Sequence, residues 1–189
     1  MHKQEIIEEI ERCPVIMAIK DNKDLKECLK SDLKVVFVLF GNINNISYIV
    51  EKLKDHNKYV IVHGDLIEGL KSGPLSNEFI KAQTKADGII TTKASTALNA
   101  KKLGLFTVLR FFILDSLSFE SMKSTLKSTN ADLIEILPGI MPKVIKQVGK
   151  RTAIPIVAGG LIRDKEDVMD AINANAFAIS SSNYDVWKM

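Results

Sequence analysis

The chain has 189 residues, of which 46% are hydrophobic and 26% charged, and a formal net charge of +3. Those totals describe a folded globular protein that can bury a sizeable core, and the length fits one domain over residues 1–189. The small charge does not by itself argue for nucleic acid or a membrane surface, and no run of about 18 apolar residues offers a membrane span.

The N-terminal stretch MHKQEIIEEIERCP is charged and amphipathic, which predicts a helix and not a signal peptide. The two cysteines, Cys13 and Cys28, lack metal-ligand spacing and read as reduced thiols of a cytoplasmic protein. From there β-branched runs alternate with helix-like segments. Strand candidates are VIMAI (15–19), VVFVLF (35–40), YVIVH (59–63), GIITT (88–92), FTVLR (106–110), DLIEIL (132–137), PIVA (155–158) and FAISS (177–181). Amphipathic segments between them include 45–56, 77–85, 96–103 and 118–128.

Strands separated by helices pair in parallel through right-handed crossovers, and eight such units predict a compact (β/α)8 barrel, an α/β fold of the TIM type. An open doubly wound sheet would need a Gly-rich first strand-to-helix turn, and here that turn is IKDNKD. The chain is shorter than the usual barrel of about 200 residues or more, so its helices and loops must be minimal.

Barrels of this kind bind ligands at the C-terminal ends of their strands, with phosphate at the loops after strands 7 and 8. IVAGGLIRD (156–164) is the first of those loops and SSSN (180–183) the second. Gly159 and Gly160 can present bare N–H groups, while Ser180, Ser181 and Ser182 add hydroxyls. A short helix at 183–188 would aim its N-terminus at the same point. The alternative is a tight turn at the glycines and serine caps on the last helix.

Period-two alternation puts Leu133, Glu135 and Leu137 inside the barrel, with Ile134 and Ile136 facing the helices. A carboxylate there needs a partner, and Arg110, on the face shared by Phe106 and Val108, can supply one. Ile89, Thr91 and Lys93 share a face of the fourth strand. Ile61, His63 and Asp65 share one at the end of the third, and Lys20 follows the first. Asp65, Lys93, Arg110 and Glu135 are therefore expected on one side of the mouth. They would either surround an anionic, hydroxylated small ligand or pair among themselves as Glu135–Arg110 and Asp65–Lys93.

Catalytic patterns fare less well. Nothing marks Lys93 as a Schiff-base lysine, His63 has no second histidine at ligand spacing, and no G-x-S-x-G occurs. The expectation is no metal and no cofactor. The pattern offers a binding pocket more readily than a reaction, with an enzyme acting on a small triose-type phosphate as the alternative.

VHGDLIEGLKSG (62–73), DGIITTK (87–93), LRFFILDS (109–116), IEILPGIMP (134–142), IVAGGLI (156–162) and the terminal SSSNYDVWKM carry a resemblance. The sequence is similar to the glycerol-uptake operon antiterminator regulatory protein family, in order and without gaps from about Cys13 onward. The resemblance implies a cytoplasmic transcription regulator, not an enzyme, that senses glycerol 3-phosphate as effector. It would then bind the leader mRNA of glycerol-utilisation genes and suppress a terminator. Asp65, Lys93, Arg110, Glu135, Gly139, Gly159, Gly160 and Ser182 fall on the family's motif positions. Barrel geometry then puts the phosphate at Gly159, Gly160, Ser181 and Ser182 and the glycerol hydroxyls near Asp65 and Glu135. Arg110 and Lys93 orient those carboxylates or reach the ligand.

Two positions depart from that pattern. Asn173-Ala174-Asn175-Ala176 stands where a glycine turn is expected, and asparagine tolerates the left-handed conformation such a turn needs. Gly64 stands where a β-branched residue would be usual and weakens its strand.

For RNA, the best basic segment is MPKVIKQVGKR (141–151), with Lys143, Lys146, Lys150 and Arg151 and no acid; Lys101 and Lys102 form a smaller cluster. Read alone it is a solvated helix face, and the resemblance makes it a candidate for phosphate-backbone contacts. A homo-oligomer is compatible with all of this.

Overall fold

The computed structural model describes residues 2–189. Among them, eight parallel strands close into a barrel in chain order, β8 pairing back onto β1 with Met17 beside Ser181. The strands are β1 (Val15–Ile19), β2 (Val35–Val38), β3 (Tyr59–His63), β4 (Gly88–Thr91), β5 (Phe106–Phe112), β6 (Leu133–Leu137), β7 (Ile156–Gly159) and β8 (Ala178–Ser181). The helices are α1 (His2–Arg12), α2 (Asn22–Lys30), α3 (Ile46–Asp55), α4 (Pro74–Gln83), α5 (Ala94–Lys102), α6 (Ser116–Leu126), α7 (Pro142–Gly149) and α8 (Lys165–Asn173). The chain is therefore a (β/α)8 barrel.

Both strand faces are buried, which is why the strands are apolar on both sides. Inward residues such as Ile16, Phe37, Ile61, Phe106, Val108 and Leu133 fill the barrel, while Val36, Val62, Leu109 and Ile134 pack against the helices. α1 precedes the first strand and does not join the helix ring in the usual way. Its Ile6 and Ile10, one turn apart, belong to the inward cluster and are wholly buried. α1 thus seals the N-terminal end of the barrel, and each isoleucine contributes about 1.5–3 kcal/mol by burial.

Loops after β1, β5 and β7 end in aspartates that cap the next helix. Asp21 accepts from Asp24 N–H, Asp115 from Ser118 N–H and Asp164 from Asp167 N–H. Asn175 has φ of 68°, so the turn before β8 adopts the left-handed conformation expected of it.

Several boundaries differ from the sequence pattern. β5 continues to Phe112, paired with Leu137, and β2 ends at Val38 although Leu39 N–H still bonds Ile19 O at 2.8 Å. α4 starts at Pro74 rather than at residue 77, because proline needs no N–H partner in a first turn. The short helix expected over 183–188 is only a 3₁₀ turn, Val186–Lys188. It replaces the outer helix after β8, and Trp187 anchors it by donating Nε1–H to Ser181 O at 2.7 Å.

Candidate functional site

The β5–β6 register sets Arg110 directly beside Glu135, both inward, at the C-terminal end of the barrel. Arg110 Nε donates to Glu135 Oε2 at 2.5 Å, and the Ser180 hydroxyl donates to Oε1 at 2.6 Å. Arg110, Glu135 and Ser180 are 6%, 1% and 3% exposed. Burying an ion pair costs several kcal/mol per ion, which close geometry and further hydrogen bonds offset; on the Glu135 side both are present. The sequence-based Glu135–Arg110 pair is present.

Gly159 is explained by this pair. A Cβ there would sit 2.4 Å from Glu135 Oε1 and 2.6 Å from Ser180 Oγ. Its missing side chain makes room for a carboxylate, whatever else its N–H does. Gly139 is a packing glycine too. A Cβ would meet Gly159 N at 2.8 Å, and its own N–H bonds Gly160 O at 3.0 Å, so that donor is already spent on the neighbouring loop.

The rim is built by the loops after β7, β8 and β1. Gly160 and Leu161 have φ of 74° and 63°, a left-handed pair in which the leucine is the strained member. Among the described residues, no hydrogen bond uses the main-chain N–H of Gly160, Leu161 or Ser182. Lys20 Nζ donates to Ser182 Oγ at 3.3 Å across the seam where the barrel closes. Asp24 accepts from the main-chain N–H of Lys20 at 3.0 Å and so fixes its loop. Ser181 borders the same mouth, and its hydroxyl donates to Ile162 O at 2.8 Å and accepts from Asn183 N–H. It braces the two loops.

Together these groups line a cavity of about 460 Å³ whose walls include Lys20, Arg110, Glu135, Gly160, Arg163 and Ser182. Three cations against one carboxylate favour an anion. A larger cavity, about 680 Å³, lies between α1, α2 and the C-terminal segment. The smaller one is where buried polar side chains converge, which is the mark of a built site. Of the lining residues, the sequence does not single out Arg163, whereas Ser180 stands among the loop hydroxyls and Lys20 follows the first strand. Ser180 shares the inward face of Ala178 and reaches Glu135 instead of capping the last turn.

Asp65 and Lys93 do not join this cavity. Asp65 accepts from Ser72 Oγ, from Thr92 N–H at 2.8 Å and from Thr91 Oγ1 at 3.0 Å, tying the loop after β3 to the end of β4. Burial pushes its carboxyl up, but the bonds from Ser72, Thr92 and Thr91 outweigh that and hold it below the ordinary carboxylate range. The Asp65–Lys93 pair is replaced by these bonds, which hold Asp65 despite Gly64. Lys93 is exposed at the N-cap of α5. Ile89 and Thr91 do share a face, but it is the helix-facing one, because Ile90 is the residue that joins the inward cluster; Lys93 lies beyond the end of β4 and so off that face. His63 faces inward, 2% exposed, with Nδ1 4.0 Å from Asp65 Oδ2. Burial, and then the Arg110 charge beside it, push its imidazole down to about 4.

Lys143, Lys146, Lys150 and Arg151 are all exposed along and just beyond α7. Lys146 and Lys150 border a groove of about 420 Å³ that also contains Asn175 and Phe177. Lys101 is not a free cation: it pairs with Asp132 Oδ1 at 3.1 Å. Among the described residues no group of three or more His, Cys, Asp or Glu side chains is placed to hold a metal ion, and no helix is long and apolar enough to cross a membrane.

Comparison with known proteins gives a consistent picture. A family model described as glycerol-3-phosphate responsive antiterminator matches residues 15–187. YgcP of Escherichia coli strain K12, described as uncharacterised, is 45% identical over 176 residues, covering 93% of this chain and 92% of that one. The crystal structure of the glycerol uptake operon antiterminator regulatory protein of Listeria monocytogenes is 30% identical with a TM-score of 0.90, covering 93% of this chain and 95% of that one. A glycerol uptake operon antiterminator-related protein of Thermotoga maritima is 35% identical with a TM-score of 0.82, covering 93% and 98%. Solved aldolases match at 12–15% identity, which shows the fold alone.

Proposed function

The chain belongs to the glycerol-3-phosphate responsive antiterminator family, and from that premise we propose that it is a cytoplasmic RNA-binding regulator gated by glycerol 3-phosphate. The observation that carries this reading is the family match over residues 15–187. The rim geometry supports it. The phosphate sits on the N–H groups of Gly160, Leu161 and Ser182, with the Ser182 hydroxyl, Lys20 and Arg163 around it. Gly159 lies beside that cradle and makes room for Glu135; Ser181 braces it.

The leader mRNA of glycerol-utilisation genes binds the basic face of Lys143, Lys146, Lys150 and Arg151, with Phe177 at the edge of the adjoining groove. The Gly139–Gly160 hydrogen bond joins the phosphate loop to the segment that opens α7, so ligand binding and the basic face share a mechanical connection. The regulator reports the metabolite and does not transform it.

Calorimetric titration with glycerol 3-phosphate, with glycerol and inorganic phosphate as controls, tests the first half. Absence of heat at millimolar ligand refutes the effector site. A gel shift with leader RNA, with and without glycerol 3-phosphate, tests the second half. Changing Lys143, Lys146 and Lys150 to Glu should abolish the shift and leave ligand binding in place. RNA affinity undetectable at low salt in both ligand states refutes the antiterminator role, and sedimentation in the same buffers shows whether the active form is a homo-oligomer.

A further inference from the structure

Glu135 is fully engaged before any ligand arrives. One oxygen takes Arg110 Nε–H and the other takes the Ser180 hydroxyl. The carboxylate therefore acts as a positioning group for two residues that line the cavity floor. Arg110 uses only Nε on Glu135; among the described residues no hydrogen bond or ion pair uses its two terminal NH2 groups. Ser180 spends its only proton on Glu135, which leaves its oxygen able to accept. The floor thus presents a donor beside an acceptor, at 6% and 3% exposure, in a space that a side chain at Gly159 would close.

We infer that Arg110 and Ser180, set by Glu135, form a hydroxyl reader that selects short polyol phosphates over alkyl phosphates of the same length. The inference rests on the proposal that a small phosphate ester occupies the mouth. An alcohol accepts from the Arg110 guanidinium and donates to Ser180 Oγ with the same oxygen. An alkyl chain does neither and leaves two buried polar groups dry. A site built to hydrogen-bond a hydroxyl rejects the ligand that lacks it far more strongly than an apolar pocket rejects an extra one.

The test measures Kd for glycerol 3-phosphate and n-propyl phosphate by calorimetry, on the full chain and on two variants. The full chain should prefer glycerol 3-phosphate by roughly 100-fold or more. Ser180→Ala should shrink that ratio at least about tenfold, since one of the two paired groups is gone. Arg110→Lys keeps the charge against Glu135 but loses the fork, and should shrink it as well. Equal affinity of the full chain for the two esters overturns the hydroxyl reader while leaving the phosphate site standing. Binding of neither ester refutes the phosphate site itself. A ratio unchanged in Ser180→Ala overturns the role of Ser180. Should that variant prove too unstable to bind, as a thermal melt followed by Trp187 fluorescence will show, the Arg110→Lys ratio decides the matter alone.

Discussion

The Tyr184 hydroxyl donates to Asp24 Oδ1 at 2.6 Å, while the other oxygen of that carboxylate holds the main-chain N–H of Lys20 at 3.0 Å. Residues from opposite ends of the chain thereby set one rim lysine. The bond to Asp24, more than any other influence, raises the Tyr184 phenol to about 12. Tyr184→Phe should lower the melting temperature by roughly 2–4 °C and weaken glycerol 3-phosphate binding several-fold. Differential scanning calorimetry and a ligand titration check both; unchanged affinity would mean that Lys20 needs no such brace.

Gly159→Ala drives a methyl group into Glu135 and Ser180, at 2.4 and 2.6 Å before any adjustment. Either the pair moves or β7 does. The expected cost is about 1–3 kcal/mol in urea unfolding, with ligand affinity falling as the floor is displaced. Glycine here looks, in sequence, like a phosphate-loop glycine. Only the fold shows that it yields space to a side chain from the neighbouring strand.

His63 links stability to acidity. Its imidazole lies near 4 in the folded protein against an ordinary value of 6.5. The unfolded chain takes up a proton below pH 6.5 that the folded chain refuses until about pH 4. Stability is therefore full above 6.5 and falls as the pH drops through that window, by roughly 3 kcal/mol at its lower end. Urea melts at several pH values should show the slope, and His63→Gln should flatten it.

The two thiols should react very differently. Cys28 is wholly buried and burial pushes its thiol up to about 12, whereas Cys13 is half-buried at the wall of the outer cavity. A thiol reagent should modify Cys13 in the native protein and reach Cys28 only on unfolding. Two fast equivalents would place α2 incorrectly.

The contrast between Glu135 and Lys93 shows how far the pattern of the sequence reaches. On β6 alternation assigns Ile134 and Ile136 to the helices and so Glu135 to the interior, and the two clusters divide in that way. On β4 both faces are apolar, so alternation groups Ile89 with Thr91 and Lys93 without saying which way that group points. The Lys20–Ser182 contact spans 162 positions and exists only because β8 closes onto β1. Strand number and order were legible because eight β-branched runs needed no such closure to be seen.

Sealing one end of the barrel leaves the C-terminal ends of the strands as its open face. Ile6 and Ile10 of α1, together with the packed inward side chains, fill the far side, so a ligand of the proposed site would come and go by the mouth that Leu161 and Lys20 border. Substitutions at that rim would then be felt in the exchange rates of the ligand, separately from the affinity set by the floor.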